Sequence, residues 1–200
     1  MARIPSVQTE PKGLAYDPDF LSRQEHDTLV GICGSLDFGE VQMHGQVAKR
    51  EVRHFGYMYG YESWSLEPTD PLPEELGWLQ ERAAGLAGLT AADLREVLVT
   101  RYPPGAGIGW HRDAPMFGSK VIGVSLLSPS RMRFQRKVSG VRHVYDLVLD
   151  PGSAYVLAGE VRWAWQHSIP AVKELRYSIT FRTVRESFAR GRRAIAREER

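Results

Sequence analysis

Cysteine occurs once in 200 residues, at Cys33. A single thiol allows neither an intramolecular disulfide nor a thiolate zinc cluster, and its apolar setting in VGICG reads as inert core. Also lacking is any apolar run of about 20 residues, the length a helix needs to cross a bilayer. The opening stretch MARIPSVQTEPKG has no apolar segment of the secretory type. These absences lead to the expectation of a cytoplasmic, monomeric protein without membrane contact. Strong charge imbalance is missing too: 26 Lys and Arg stand against 24 Asp and Glu, for a net of +2. The last sixteen residues, 185–200, carry six Arg and three Glu, so they contribute +3 and the rest of the chain sums to −1. A generally basic nucleic-acid binder is thereby excluded, and any polyanion contact must come from local patches. Repeats and low-complexity segments are absent, and the length suits one domain with a substantial core.

What is present begins with a flexible arm over 1–13. Ser22 followed by Glu25 forms a capping box that opens a helix over about 22–35. Residues 36–61 read as short strands broken by glycine. Their tail is aromatic, and Tyr57, Tyr59 and Tyr61 alternate, so a strand would place all three on one face. That face suits either half-buried packing or a stacking surface for planar bases. Residues 74–87 have a helical pattern and Thr90–Asp93 reads as a turn or short helix. From residue 95 the period becomes that of strands: 95–102, 121–127, a hairpin of 131–136 and 141–149 around Ser139-Gly140, then 151–159, 162–169 and 175–184. Many short strands after a helical start predict an α+β protein with an antiparallel barrel or double-sheet core.

The chemistry centres on RYPPGAGIGWHRD, residues 101–113. His111 and Asp113 are separated by one residue at a frayed strand end, so both can be aimed at one point. Imidazole plus carboxylate suits a first-row divalent metal, and two histidines with one carboxylate suit non-haem Fe(II). His167, at the end of the apolar WAWQHSI, is the candidate third ligand. His26 and His44 read as solvated and His143 as a polar surface residue.

The strand at 176–182 strengthens this. Its odd positions, Tyr177, Ile179 and Phe181, are apolar, and its even positions are Arg176, Ser178, Thr180 and Arg182. Period-two alternation puts two guanidinia and two hydroxyls on one face. Six residues span about 20 Å of strand, so the two arginines need separate acidic partners. A guanidinium fork suits a carboxylate, and a dicarboxylate cosubstrate beside an iron triad would serve for one of them.

Together TRYPPGAGIGWHRD (100–113), VSLL (124–127), AGEVRWAWQHSI (158–169) and RYSITFR (176–182) resemble the AlkB family of Fe(II)/2-oxoglutarate dioxygenases. RHFGYMY (53–59) resembles that family's substrate-lid strand and DPDFLSRQE its usual opening, so the likeness runs over about 14–185. The resemblance implies a single domain over 14–185 with a double-stranded β-helix (jelly-roll) core at about 95–184. It also implies N-terminal helices, a nucleotide-recognition lid at about 40–62 and a basic tail at 186–200. Fe(II), 2-oxoglutarate and O2 are the implied cofactors. His111, Asp113 and His167 match the iron ligands. Tyr102 and Arg176 match residues that hold the distal carboxylate of 2-oxoglutarate, and Arg182 matches the second arginine. Thr100 and Ser178 stand where the repair enzyme has asparagine, keeping short hydrogen-bonding groups beside Thr180. Pro115 stands where it has an acid, so base recognition should differ.

The activity implied is oxidative demethylation of N-alkylated bases in DNA or RNA, releasing formaldehyde, succinate and CO2. A duplex base would first have to leave its stack. Tyr57, Tyr59 and Trp110 are candidate walls for it, and Arg131, Arg133, Arg136, Lys137 and Arg142 candidate phosphate contacts. The same chemistry on a protein, lipid or small molecule is an alternative, and a non-catalytic nucleic-acid-binding module a more remote one.

Overall fold

The computed structural model of the chain describes residues 6–43, 46–59, 66–185 and 188, with backbone alone at 43, 46 and 59. Strands β1 (Ser6–Gln8) and β2 (Leu14–Asp17) precede helix α1 (Arg23–Ser35). The helix starts there because Glu25 N donates to Ser22 Oγ at 3.3 Å while Ser22 N donates to the Glu25 carboxylate at 2.8 Å. Two orphan amides of the first turn are satisfied reciprocally. Next come β3 (Gly39–Met43), β4 (Gln46–Phe55), β5 (Tyr57–Tyr59) and β6 (Leu66–Pro68). A 3₁₀ turn at Glu74–Leu76 runs into α2 (Gly77–Leu86), and a second, Ala91–Asp93, is boxed by Thr90. Then follow β7 (Leu94–Tyr102), β8 (Ile108–His111), β9 (Phe117–Leu126), β10 (Ser130–Val138) and β11 (Val141–Leu149). The chain continues through β12 (Ala154–Ala158), α3 (Gly159–Ala164), β13 (Gln166–Ile169) and β14 (Arg176–Val184).

Seven strands form a larger sheet in the order β2-β12-β9-β14-β7-β4-β3, and five a smaller one, β1-β11-β10-β13-β8. β1 runs parallel to β11 and the other pairs are antiparallel. The β10–β11 hairpin turns at Ser139 and Gly140, both with positive φ of 48° and 82°, the two-residue turn whose twist matches that of the strands. The two sheets face each other as a double-stranded β-helix.

Alternation along β14 builds two cores. Tyr177, Ile179 and Phe181 pack outward against Leu29 and Cys33 of α1 and Leu79 and Ala83 of α2. Between the sheets lie Tyr102, Val121, Met132, Phe134, Leu157 and Trp165. The even residues of β14 therefore look into the space between the sheets. Cys33 is wholly buried, and burial pushes its thiol up to about 12, so it stays an unreactive core group. No helix among the described residues is long and apolar enough to cross a membrane.

Three expectations are corrected. The arm over 1–13 is in part a strand, since Ser6–Gln8 pairs with Arg142–Val144 of β11; residues 1–5 lie outside the described residues. The segment 162–169 is not one strand, because Gly159–Ala164 is helical. That turn brings Val161 and Arg162 inward and leaves Trp163 outside, which alternation could not do. The stretch 40–62 is divided: β4 pairs with β7 inside the larger sheet, while β5 pairs with β6. His44, Tyr61 and nearly all of the 186–200 tail lie outside the described residues.

Candidate active site

β8 and β13 are neighbours, and their register sets His111 directly opposite His167. Their ring centroids are 4.3 Å apart. Asp113 lies just past the end of β8, with Oδ2 3.7 Å from His167 Nε2. The three residues expected to share one point are thus brought together at one end of the smaller sheet. His111 Nδ1 lies 2.9 Å from the carbonyl of Gly109. A carbonyl only accepts, so Nδ1 carries the proton and the Nε2 lone pair is left free. Burial lowers both imidazoles: His111 is pulled down by desolvation against Asp113, and His167, with the His111 ring beside it, falls to about 3. Both are neutral at physiological pH, the form that binds a metal. Burial would raise Asp113, but the Arg182 guanidinium beside it outweighs that and holds the carboxyl well below its usual range.

The two arginines of β14 have different partners. Arg182 Nε donates to Asp113 Oδ1 at 2.8 Å, and Nη1 to Glu96 at 2.9 Å. Arg176 is 2% exposed, and no salt bridge reaches it among the described residues. Its Nη2 donates to Ser125 Oγ at 3.0 Å, its guanidinium lies 5.1 Å from the centroid of the Tyr102 ring, and its buried Nε has no partner. A buried cation with an unused N–H and no acid is incomplete, because leaving a buried donor unpaired costs about 1–3 kcal/mol. A carboxylate completes it. Between the arginines, Thr100, Ser178 and Thr180 are buried, with Thr100 paired to Ser178.

Residues 13–184 match the family described as the 2OG-Fe(II) oxygenase superfamily. The chain belongs to that superfamily. Within it the likeness is to AlkB proteins. The Xenopus tropicalis tRNA (carboxymethyluridine(34)-5-O)-methyltransferase alkbh8 is 29% identical over 164 residues, covering 80% of this chain and 25% of that protein. The Escherichia coli alpha-ketoglutarate-dependent dioxygenase AlkB is 28% identical over 157 residues, covering 68% of this chain and 70% of AlkB. The chain thus spans about a quarter of the length of its alkbh8 relative. In fold, the solved structure of OsALKBH1 superposes with a TM-score of 0.68 at 15% identity, over 88% of this chain and 99% of that one. The family shown is thus that of 2OG-Fe(II) oxygenases, whose chemistry uses Fe(II), 2-oxoglutarate and O2, and the likeness within it is to AlkB proteins.

The donor chemistry fits the metal that this superfamily uses: two neutral imidazoles, one ionised carboxylate, and a His111 Nε2 free to coordinate. Among the described residues no three His, Cys, Asp or Glu donors already stand at coordinating distance of one point. Asp113 Oδ1 is turned to Arg182, so small side-chain rotations must draw the set together around an ion. The unpartnered Arg176 Nε fits the 2-oxoglutarate carboxylate.

Several residues of the site went unnoticed in the sequence. Glu96 is fully buried on β7 opposite Arg182, with His54 Nδ1 3.5 Å away. A single acid in the apolar run REVLV was the available signal. Ser125, in VSLL, had the same kind of signal. Arg162 had none, because a local helix turns it inward. Its guanidinium is 2% exposed and donates to the carbonyls of Asp113 (3.1 Å), Ala114 (3.0 Å), Phe117 (3.2 Å) and Gly118 (3.1 Å). It clamps the loop that carries Asp113.

The proposed base contacts are not gathered at the metal end. Trp110 precedes His111 on β8 and so projects from the opposite face of the smaller sheet. There Arg133 lies 5.0 Å and Arg142 6.0 Å from its ring centroid. Arg136 turns the other way, over Trp165 at 5.2 Å and ion-paired with Glu160 at 2.8 Å. Tyr57 accepts from Arg95 Nη2 at 2.6 Å and packs against Leu66, Met116 and Phe117. The Tyr59 side chain lies outside the described residues.

Proposed function

We propose that this oxygenase removes N-alkyl groups from bases of DNA or RNA, with His111, Asp113 and His167 holding Fe(II) and Arg176 with Tyr102 holding the distal carboxylate of 2-oxoglutarate. The observation that carries the site assignment is the buried row from the His111–Asp113–His167 cluster to the unpaired Nε of Arg176. When bound, Fe(II) supplies the oxidising chemistry that couples decarboxylation of 2-oxoglutarate to hydroxylation of an N-alkyl carbon, which then leaves as formaldehyde. Arg176 neutralises the cosubstrate and fixes its orientation. Arg182 keeps Asp113 ionised, and Arg162 sets the backbone from which Asp113 projects. The apolar residues between the sheets keep water from the reacting groups.

The nucleic-acid reading draws support from the AlkB likeness and from Trp110 flanked by two guanidinia on the outer face of the smaller sheet, an arrangement suited to a base and its phosphates. The orientation of Trp110 away from the triad favours the second reading, the same chemistry on a protein side chain, lipid or small molecule. With Fe(II), ascorbate and 2-oxoglutarate the protein should form succinate, and His111→Ala should abolish it; succinate formation indifferent to that change removes the iron assignment. Oligonucleotides bearing 1-methyladenine or 3-methylcytosine should lose the mass of one methylene. No loss on DNA or RNA would leave the second reading.

A further inference from the structure

A side chain outside the motif set occupies the middle of the space between the sheets. Tyr155 of β12 stands opposite Gly123 of β9, and Gly123 opposite Thr180 of β14. A Cβ built on Gly123 would lie 2.2 Å from Tyr155 Cζ and 2.4 Å from both its Cε1 and its hydroxyl oxygen. Those are the far atoms of the ring. The phenol is therefore laid across the neighbouring strand with its hydroxyl end above the glycine, one strand away from Thr180. The missing side chain at 123 makes the room for it.

Tyr155 is buried, and the groups whose fields act on its phenol are Asp113, Arg176, Tyr102 and Arg182. By register, Gly123 lies beside Thr180, which falls between Arg176 and Arg182 on β14, so the hydroxyl over Gly123 stands between the Arg176 end of the row and the Arg182 end. Burial first, and then Asp113, push it above its ordinary range, so it stays protonated and is a donor at neutral pH. That hydroxyl is not among the fully buried polar atoms left without a partner, as Arg176 Nε is, so it opens to the space between the sheets, where a bound molecule can reach it. Its neighbours on the row include further donors, Arg176 and Arg182, while the acids there, Asp113 and Glu96, already accept from Arg182. A dicarboxylate supplies acceptors only.

We propose that Tyr155, laid across Gly123, is a further positioning donor for 2-oxoglutarate, giving its hydroxyl hydrogen to the cosubstrate between Arg176 and the triad. This rests on the assignment of Arg176 and the triad made under the proposed function. The pair works as a unit: Gly123 admits the phenol and Tyr155 supplies the donor.

The test is anaerobic calorimetric titration of 2-oxoglutarate into the Fe(II)-loaded protein. Tyr155→Phe keeps the ring and should weaken binding roughly ten- to a hundred-fold, the effect of one hydrogen bond to a charged group. Its melting temperature and Fe(II) affinity should stay those of the parent. Gly123→Ala displaces the phenol and should weaken binding comparably, and the double variant should be little worse than either single one, because both remove the same hydrogen bond. Binding by Tyr155→Phe within two-fold of the parent, while the parent binds normally, would overturn the role of Tyr155 alone. Failure of the parent itself to bind 2-oxoglutarate would instead overturn the site assignment beneath it.

Discussion

The guanidinium of Arg182 bridges two buried acids, donating to Asp113 at 2.8 Å and to Glu96 at 2.9 Å. Glu96 is wholly buried and Asp113 nearly so. Removing the cation leaves uncompensated charge, so Arg182→Met should destabilise the protein by about 3–5 kcal/mol. Arg182→Lys keeps the charge but not the two-armed geometry. It should fold and yet bind Fe(II) more weakly, because Asp113 is no longer oriented. Urea unfolding and Fe(II) titration read the two effects separately. Unfolding curves that superimpose for parent and Arg182→Met would refute the bridge.

Arg162 meets four carbonyls of residues 113–118 with one side chain. Arg162→Met should cost about 2–4 kcal/mol, since several buried acceptors are deprived of their donor at once. Arg162→Lys should recover part of that stability, as an ammonium reaches fewer carbonyls. Both variants should need more Fe(II) for half-maximal succinate formation, with a smaller change in the 2-oxoglutarate requirement. A change confined to 2-oxoglutarate would count against the clamp.

Glu25 joins the start of α1 to α2 through Arg82 at 2.6 Å and through its capping box. The Arg82 hydrogen bond, then those from Ser22, hold its carboxyl down at about 2, against an ordinary 4.5. A depressed carboxylate stabilises the fold fully above its unfolded value, and that contribution is lost as pH falls from 4.5 through about 2. The parent should therefore be more stable than Glu25→Gln near neutral pH, with the gap closing in acid. Urea midpoints at about pH 6 and about pH 3 check this; a gap of constant size would contradict it.

Trp110, Arg133 and Arg142 face away from the triad, so their role can be tested without touching the chemistry. The Arg133→Glu/Arg142→Glu variant should bind single-stranded oligonucleotides more weakly. Its salt dependence should be shallower by about 0.7 for each phosphate that is no longer neutralised. Succinate formation without a nucleic-acid substrate should be unchanged. Unaltered oligonucleotide binding would move the interface elsewhere.

Strand β14 shows how much could be read in advance. Its alternation of Tyr177, Ile179 and Phe181 with Arg176, Ser178, Thr180 and Arg182 is a period-two signal, and the structure keeps it, one set packed on the helices and the other facing the opposite sheet. The α1 capping box was equally legible, because it depends on residues three apart. Arg162 was not, since a single helical turn inside an apparent strand run reverses which side chains face inward. The face of Trp110 was not legible either: it follows from the pairing of β8 with β13, which turns His111 toward His167 and Trp110 toward Arg133.

The sequence by itself determined the kinds of donor present, two histidines and an aspartate within a strand-rich chain, and the polar face of the last strand, because these follow from residue type and local periodicity. Only the tertiary structure decided which groups meet. Strand pairing joins residues 56 apart at His111 and His167, a register no local rule contains. The same pairing puts Glu96 under Arg182 and the Tyr155 phenol over Gly123. Contacts between distant strands are set by burying whole faces at once, and that outcome belongs to the assembled sheets rather than to any one segment.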